Sequence, residues 1–87
     1  MGDQEFVTAA KQAVVRAFNE RKGSLAPALT EDELYVVWLV KALQNNKAML
    51  STSRSGDGLY FEVTHNGDKK EIYLDVYKKQ ENICVSY

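Results

Sequence analysis

From residue 34 to residue 77 apolar and polar side chains alternate along the chain, whereas before residue 22 they recur every three or four positions. The first pattern is that of strands, the second that of a helix. Phe6, Ala10, Ala13, Val14, Ala17 and Phe18 fall on one helical face, with Lys11, Gln12, Arg16, Asn19 and Glu20 mostly opposite. A helix is predicted over 4–21, capped by Asp3, with Glu5 at its positive end and Arg21 and Lys22 at its negative end. Gly23 is expected as its left-handed cap. The segment 23–30 reads as a linker, in which Pro27 biases Ala26 toward extended geometry.

The stretch 31–44 carries opposed signals. Thr30-Glu31-Asp32-Glu33 is a capping box, which would open a second helix. Tyr35-Val36-Val37-Trp38-Leu39-Val40 is rich in β-branched and aromatic residues and apolar on every side. That composition fits a strand better than a surface helix, and the strand is preferred. A tight turn at Asn45-Asn46 would pair it with 47–53, and 53–58 reads as a looser turn. Leu59, Phe61 and Val63 alternate with Tyr60, Glu62 and Thr64; Ile72, Leu74 and Val76 alternate with Tyr73, Asp75 and Tyr77. A two-residue Asn66-Gly67 loop would set Glu62 against Glu71, so a four-residue loop over 66–69 is favoured, setting Glu62 against Tyr73. The expected architecture is α+β. One domain over 1–87 packs an N-terminal helix on a four-stranded antiparallel meander, with Ile83-Cys84-Val85 in the 78–87 tail available as a fifth strand.

Eighty-seven residues leave no room for a second core. Eleven basic and twelve acidic side chains give a net charge of −1, without the positive surplus of a phosphate-backbone binder. A lone cysteine and no apolar run of bilayer length lead us to expect a soluble cytoplasmic protein without membrane contact.

No residues announce catalysis, a cofactor or a metal. His65 reads as a turn residue at a hairpin tip, and Cys84, between Ile83 and Val85, as a small core filler. Glu31-Asp32-Glu33 lacks calcium-loop spacing and reads as solvated acids leading into the strand. Glu62 and Asp75 share one sheet face but have no histidine beside them. Asn66-Gly67-Asp68-Lys69-Lys70 lacks the glycine spacing and the following helix of a phosphate loop.

The aromatic residues are more informative. Tyr60, Tyr73 and Tyr77 share the parity opposite the helix-facing residues. On the first strand Tyr35, Val37, Leu39 and Leu43 would lie on one side and Val36, Trp38, Val40 and Ala42 on the other. One helix covers one side of a sheet, so Tyr35 or Trp38 would stand in an exposed apolar patch, of the kind that marks association. The candidate interaction surface is therefore Tyr35, Trp38, Tyr60, Tyr73 and Tyr77.

The residues Tyr35-Val36-Val37-Trp38, Lys41, Leu43-Gln44-Asn45-Asn46-Lys47-Ala48, Ser51-Thr52, Tyr60, Glu62, Asn66-Gly67-Asp68-Lys69, Glu71-Ile72-Tyr73-Leu74-Asp75 and Tyr77-Lys78-Lys79 resemble a family of small uncharacterised proteins of phages and prophages of Gram-positive bacteria. The likeness runs from Thr30 onward, and His65 departs from it where an aromatic is expected. The resemblance implies a phage setting in the cytoplasm of a bacterial host and supplies no catalytic residues. The expected function is that of a non-enzymatic accessory protein that binds another protein, host or phage, or a second copy of itself in a homodimer. The alternative is single-stranded nucleic-acid binding through Tyr60, Tyr73 and Tyr77, which the net charge of −1 and the carboxylates among them oppose.

Overall fold

A computed structural model describes residues 1–23, 27–54 and 58–87. Helix α1 (Asp3–Arg21) is followed by a 3-10 turn (Glu31–Glu33) and by strands β1 (Leu34–Ala42), β2 (Asn45–Thr52), β3 (Leu59–Asn66) and β4 (Glu71–Lys78). The strands form one antiparallel sheet in the order β1-β2-β3-β4. The α+β architecture is the one the alternation implies. Residues 79–87 are exposed and join no strand, so the fifth strand is not formed.

The helix packs through Phe6, Ala10 and Val14, spaced four apart and fully buried. Their partners on the sheet are Leu34, Ala48, Leu50, Phe61 and Val63, with Leu29 of the linker completing the core. The small Ala10 and Ala48 let the helix backbone approach the sheet closely. Gly2 occupies the cap position with no side-chain hydrogen bond, so the helix starts one residue ahead of the expected Asp3 cap. At the other end Lys22 is extended and donates its N–H to the Phe18 carbonyl, which removes the need for a left-handed Gly23.

Both signals at Thr30 are realised in succession. The capping box forms, with Glu33 Oε1 accepting from the Thr30 N–H at 3.1 Å, but the turn lasts three residues before β1 begins. The β-branched run that follows packs better as a pleated strand, and it ends the helix.

Arg54, just after β2, fastens this corner. Its guanidinium donates to Glu33 at 2.7 and 3.1 Å, to the Pro27 carbonyl at 3.0 Å and to the Ala28 carbonyl, and it lies 5.4 Å from the Phe18 ring centroid. Asn19 on the helix bonds both backbone groups of Leu29, at 2.8 and 3.1 Å. Together they seat the linker against the helix and drive Leu29 into the core.

Two turns differ from expectation. The first reverses at 43–44, not at Asn45-Asn46, and Leu43 takes φ 56°. A leucine there costs about 1 kcal/mol, but the placement frees Asn46 to enter the sheet, where it is 1 % exposed. The second turn spans 67–70, which sets Glu62 opposite Asp75 and Thr64 opposite Tyr73. The four-residue length was expected; the register is displaced by two residues, and Phe61 and Val63 keep their helix-facing side. The like charges so opposed are relieved by Lys47, 3.6 Å from Glu62. The two turns also lock together: Gly67 N–H donates to Asn45 Oδ1 at 3.1 Å, and Gln44 donates to Asp68. The looser turn expected at 53–58 and the geometry of Ala26 fall partly or wholly outside the described residues.

Two measurements check this account. A Cβ added at Gly67 would lie 2.4 Å from the Gln44 carbonyl oxygen, so Gly67→Ala should cost about 1–3 kcal/mol in a urea titration. The hydrogen bond from Arg54 holds the Glu33 carboxyl at about 2, well below its ordinary 4.5. Because the folded value is the lower one, its stabilisation is complete above pH 4.5 and is lost as the pH falls towards 2. Glu33→Gln should therefore flatten the loss of stability over that window, read from urea midpoints on either side of it.

Candidate interaction surface

The helix-side residues of the sheet include Leu34, Val36 and Leu39 of β1, Asn46, Ala48 and Leu50 of β2, Phe61, Val63 and His65 of β3, and Ile72, Leu74 and Val76 of β4. The opposite face carries no covering element among the described residues. A β-bulge between Val36 and Trp38 inserts Val37 into β1 and reverses the parity beyond it. Strict alternation would put Tyr35 and Trp38 on opposite sides. The bulge brings them to the same open face, with Val40.

Cross-strand pairing orders this face into three rows. Tyr35, Ser51, Tyr60 and Tyr77 form the first; Trp38, Met49, Glu62 and Asp75 the second; Val40, Lys47, Thr64 and Tyr73 the third. Ser51, buried between Tyr35 and Tyr60 in its row, donates its hydroxyl to the Leu59 carbonyl at 2.8 Å. Trp38 is 38 % and Tyr77 48 % exposed, and Tyr35, Val40 and Tyr73 are exposed as well. All five expected surface residues thus share one face, with Tyr60 half-buried.

The electrostatics of the face are acidic. Tyr77 donates to Glu62 at 3.3 Å, and the negative charge of Glu62, with Asp75 adding to it, raises its phenol pKa. Tyr73 donates to Glu71, and that hydrogen bond raises its phenol likewise. Two of the four phenols of the face, those of Tyr73 and Tyr77, are thus engaged by carboxylates, which places negative charge beside the aromatic rings. That combination suits an apolar partner with a basic rim and disfavours a phosphate backbone.

The two residues singled out for reactivity lie elsewhere. His65 is not at a hairpin tip: it is a buried β3 residue, and its Nδ1 donates to Asn46 Oδ1 at 2.9 Å. Asn46 Nδ2 in turn donates to the Met1 carbonyl at 3.3 Å, and the imidazole ring lies 6.3 Å from that of Phe6. The pair closes the core beneath the helix N-terminus, which is why an imidazole serves where an aromatic was expected. Cys84 is not a core filler but an exposed residue of the tail. No cluster of three metal-ligating side chains is present among the described residues, and none of their helices is long and apolar enough to cross a membrane.

Sequence reasoning overlooked Arg54 and Asn19, the residues that seat the linker, and Asn46, which it spent on a turn. Periodicity gives no sign of the first two, because each acts on backbone carbonyl or amide groups of a segment without pattern.

In comparison with known proteins, residues 7–87 match the model of a family described as "Family of unknown function (DUF6275)". No curated protein matches the chain, and no solved structure does.

Exposure on the open face separates its aromatics from those of the core. Trp38→Ala should cost about 1–2 kcal/mol, against about 3–5 for the fully buried Phe61→Ala, in denaturant titrations followed by circular dichroism. Equal losses would mean that Trp38 is covered.

Proposed function

The chain belongs to the DUF6275 family, which carries no assigned function, and we propose that it is a non-enzymatic protein-binding module whose contact surface is the open sheet face. The observation that carries this reading is the gathering of Tyr35, Trp38 and Val40 with Tyr73 and Tyr77 on one side of the sheet, which no described element covers. The bulge that brings Trp38 and Tyr35 to that side also turns Leu39 toward the core and leaves Val37 exposed. Large aromatics that keep their rings in water at some cost in solubility are the usual anchors of protein interfaces. Glu62, Glu71 and Asp75 on the same face call for a partner with basic residues around an apolar centre. The resemblance of its residues to small phage and prophage proteins supports an accessory role during infection or lysogeny in the bacterial cytoplasm, on a target of host or phage origin.

Single-stranded nucleic acid is the reading this one displaces. A tagged chain and its Trp38→Asp variant, compared in pull-downs from host cells, test the two together. A partner captured by the native face and lost at least tenfold with Trp38→Asp, while the circular dichroism spectrum is unchanged, is the expected result. Oligonucleotide binding at low salt that disappears in Tyr73→Ala would overturn it in favour of nucleic acid.

A further inference from the structure

The two outer strands of the sheet are protected very differently. β1 carries the bulge at 36–38, which interrupts its ladder and spoils edge-to-edge pairing. β4 pairs with β3 in unbroken register from Lys78 to Glu71, and its eight residues include neither proline nor glycine. No strand among the described residues lies on its outer edge. On the helix side it carries an aliphatic row, of which Ile72 is 38 % and Val76 43 % exposed. Val76 also borders an apolar cleft of about 200 Å³ between α1 and β3, lined by Phe18, Leu59 and Phe61. This margin therefore combines an unpaired backbone with uncovered aliphatic side chains.

We propose that a second copy of the chain occupies this edge, β4 against β4, antiparallel about a two-fold axis at Leu74. Such an axis stands perpendicular to the sheet, so residues of the same face must meet, and the pairing is centred on a residue. Centring on Asp75 would set that carboxylate against its own copy. Centring on Tyr73 would set Glu71 against Asp75, and centring on Val76 would oppose Leu74 to Lys78. About Leu74 the sequence is complementary to itself. Leu74 meets Leu74 and Ile72 meets Val76 on the helix side, while Tyr73 meets Asp75 and Glu71 meets Tyr77 on the open side. Each carboxylate of the strand then faces a phenol, and no like charges are opposed within 71–77; Lys78 meets Lys70 of the other copy only at the two ends, where both side chains are exposed to water.

The consequence is an eight-stranded sheet with both helices on one side. The two open faces form a single platform on the other, with Tyr73 and Tyr77 of both copies at its centre. The dimer enlarges the face without covering it, and it rests on the edge of the sheet rather than on what the face binds.

Cysteine pairing in the full chain tests the register. In a Cys84→Ser background, Leu74→Cys lies on the axis and should oxidise to a disulfide-linked dimer about tenfold faster than Asp75→Cys, whose copies are offset along the strand. Should Leu74→Cys fold poorly, the double variant Ile72→Cys with Val76→Cys reports the same register. Sedimentation of the native chain at about 100 µM, where a weak edge contact is populated, should show a dimer. Ile72→Lys should reduce it to monomer with its circular dichroism intact, and Trp38→Asp should leave it dimeric. A native monomer at that concentration, or equal oxidation at 74 and 75, would overturn the proposal. So would a dimer split by Trp38→Asp alone, which would assign the contact to the open face. An intrachain disulfide between Val76→Cys and Val85→Cys would overturn it too, giving the edge to the chain's own tail.

Discussion

One helix cannot cover a four-stranded sheet. With side chains it is about 10 Å across, whereas four strands span about 19 Å. The 19 residues of α1 therefore lie over β1, β2 and β3 and leave the helix side of β4 half-bare. The opposite face receives nothing at all from the described residues. Every feature with functional interest follows from this shortage of cover. Trp38 and Tyr35 are exposed because the described residues supply no second layer, and Ile72 and Val76 because the first layer is too narrow.

The same shortage explains the weight placed on Arg54. A core of nine buried apolar residues among those described needs every one of them, and Leu29 is contributed by residues 27–30, which form neither helix nor strand. Holding such a segment requires partners for its backbone groups. Arg54 takes the carbonyls of Pro27 and Ala28, and Asn19 takes both polar groups of Leu29. Arginine suits this post because its planar fork can engage Glu33 and two carbonyls at once while its face lies over Phe18. A lysine would retain the charge and lose the geometry.

The helix, the four strands and the side of the sheet each residue takes on β3 and β4 were legible from periodicity, because burial of one face forces period two or 3.6. What escaped notice was decided by contacts between segments distant in sequence. Asn45-Asn46 is a good local turn, but Asn46 is worth more as the buried partner of His65, and the reversal falls on Leu43 in spite of its positive φ. Glu62 and Asp75 are a poor cross-strand pair in isolation, and it takes Lys47 on a third strand, with the Tyr77 hydroxyl donating to Glu62, to make them tolerable. Of the candidate surface, the tyrosines of β3 and β4 were legible as one set. The union of Tyr35 with Trp38 was not, since it depends on a bulge that alternation cannot reveal.

That bulge does two things at once. By adding Val37 it turns Trp38 to the open face, and by breaking the ladder it removes β1 as a template for another strand. The edge nearest the tryptophan is thereby closed to backbone pairing, so contact there must be made by side chains. At β4 the reverse holds: the ladder is regular, the side chains alternate strictly, and the backbone is what the edge has to offer. A sheet with one guarded and one unguarded margin propagates in one direction only. Pairing through the unguarded margin about a two-fold axis consumes it in both copies, and a closed dimer rather than a growing fibre is the assembly such an asymmetry permits.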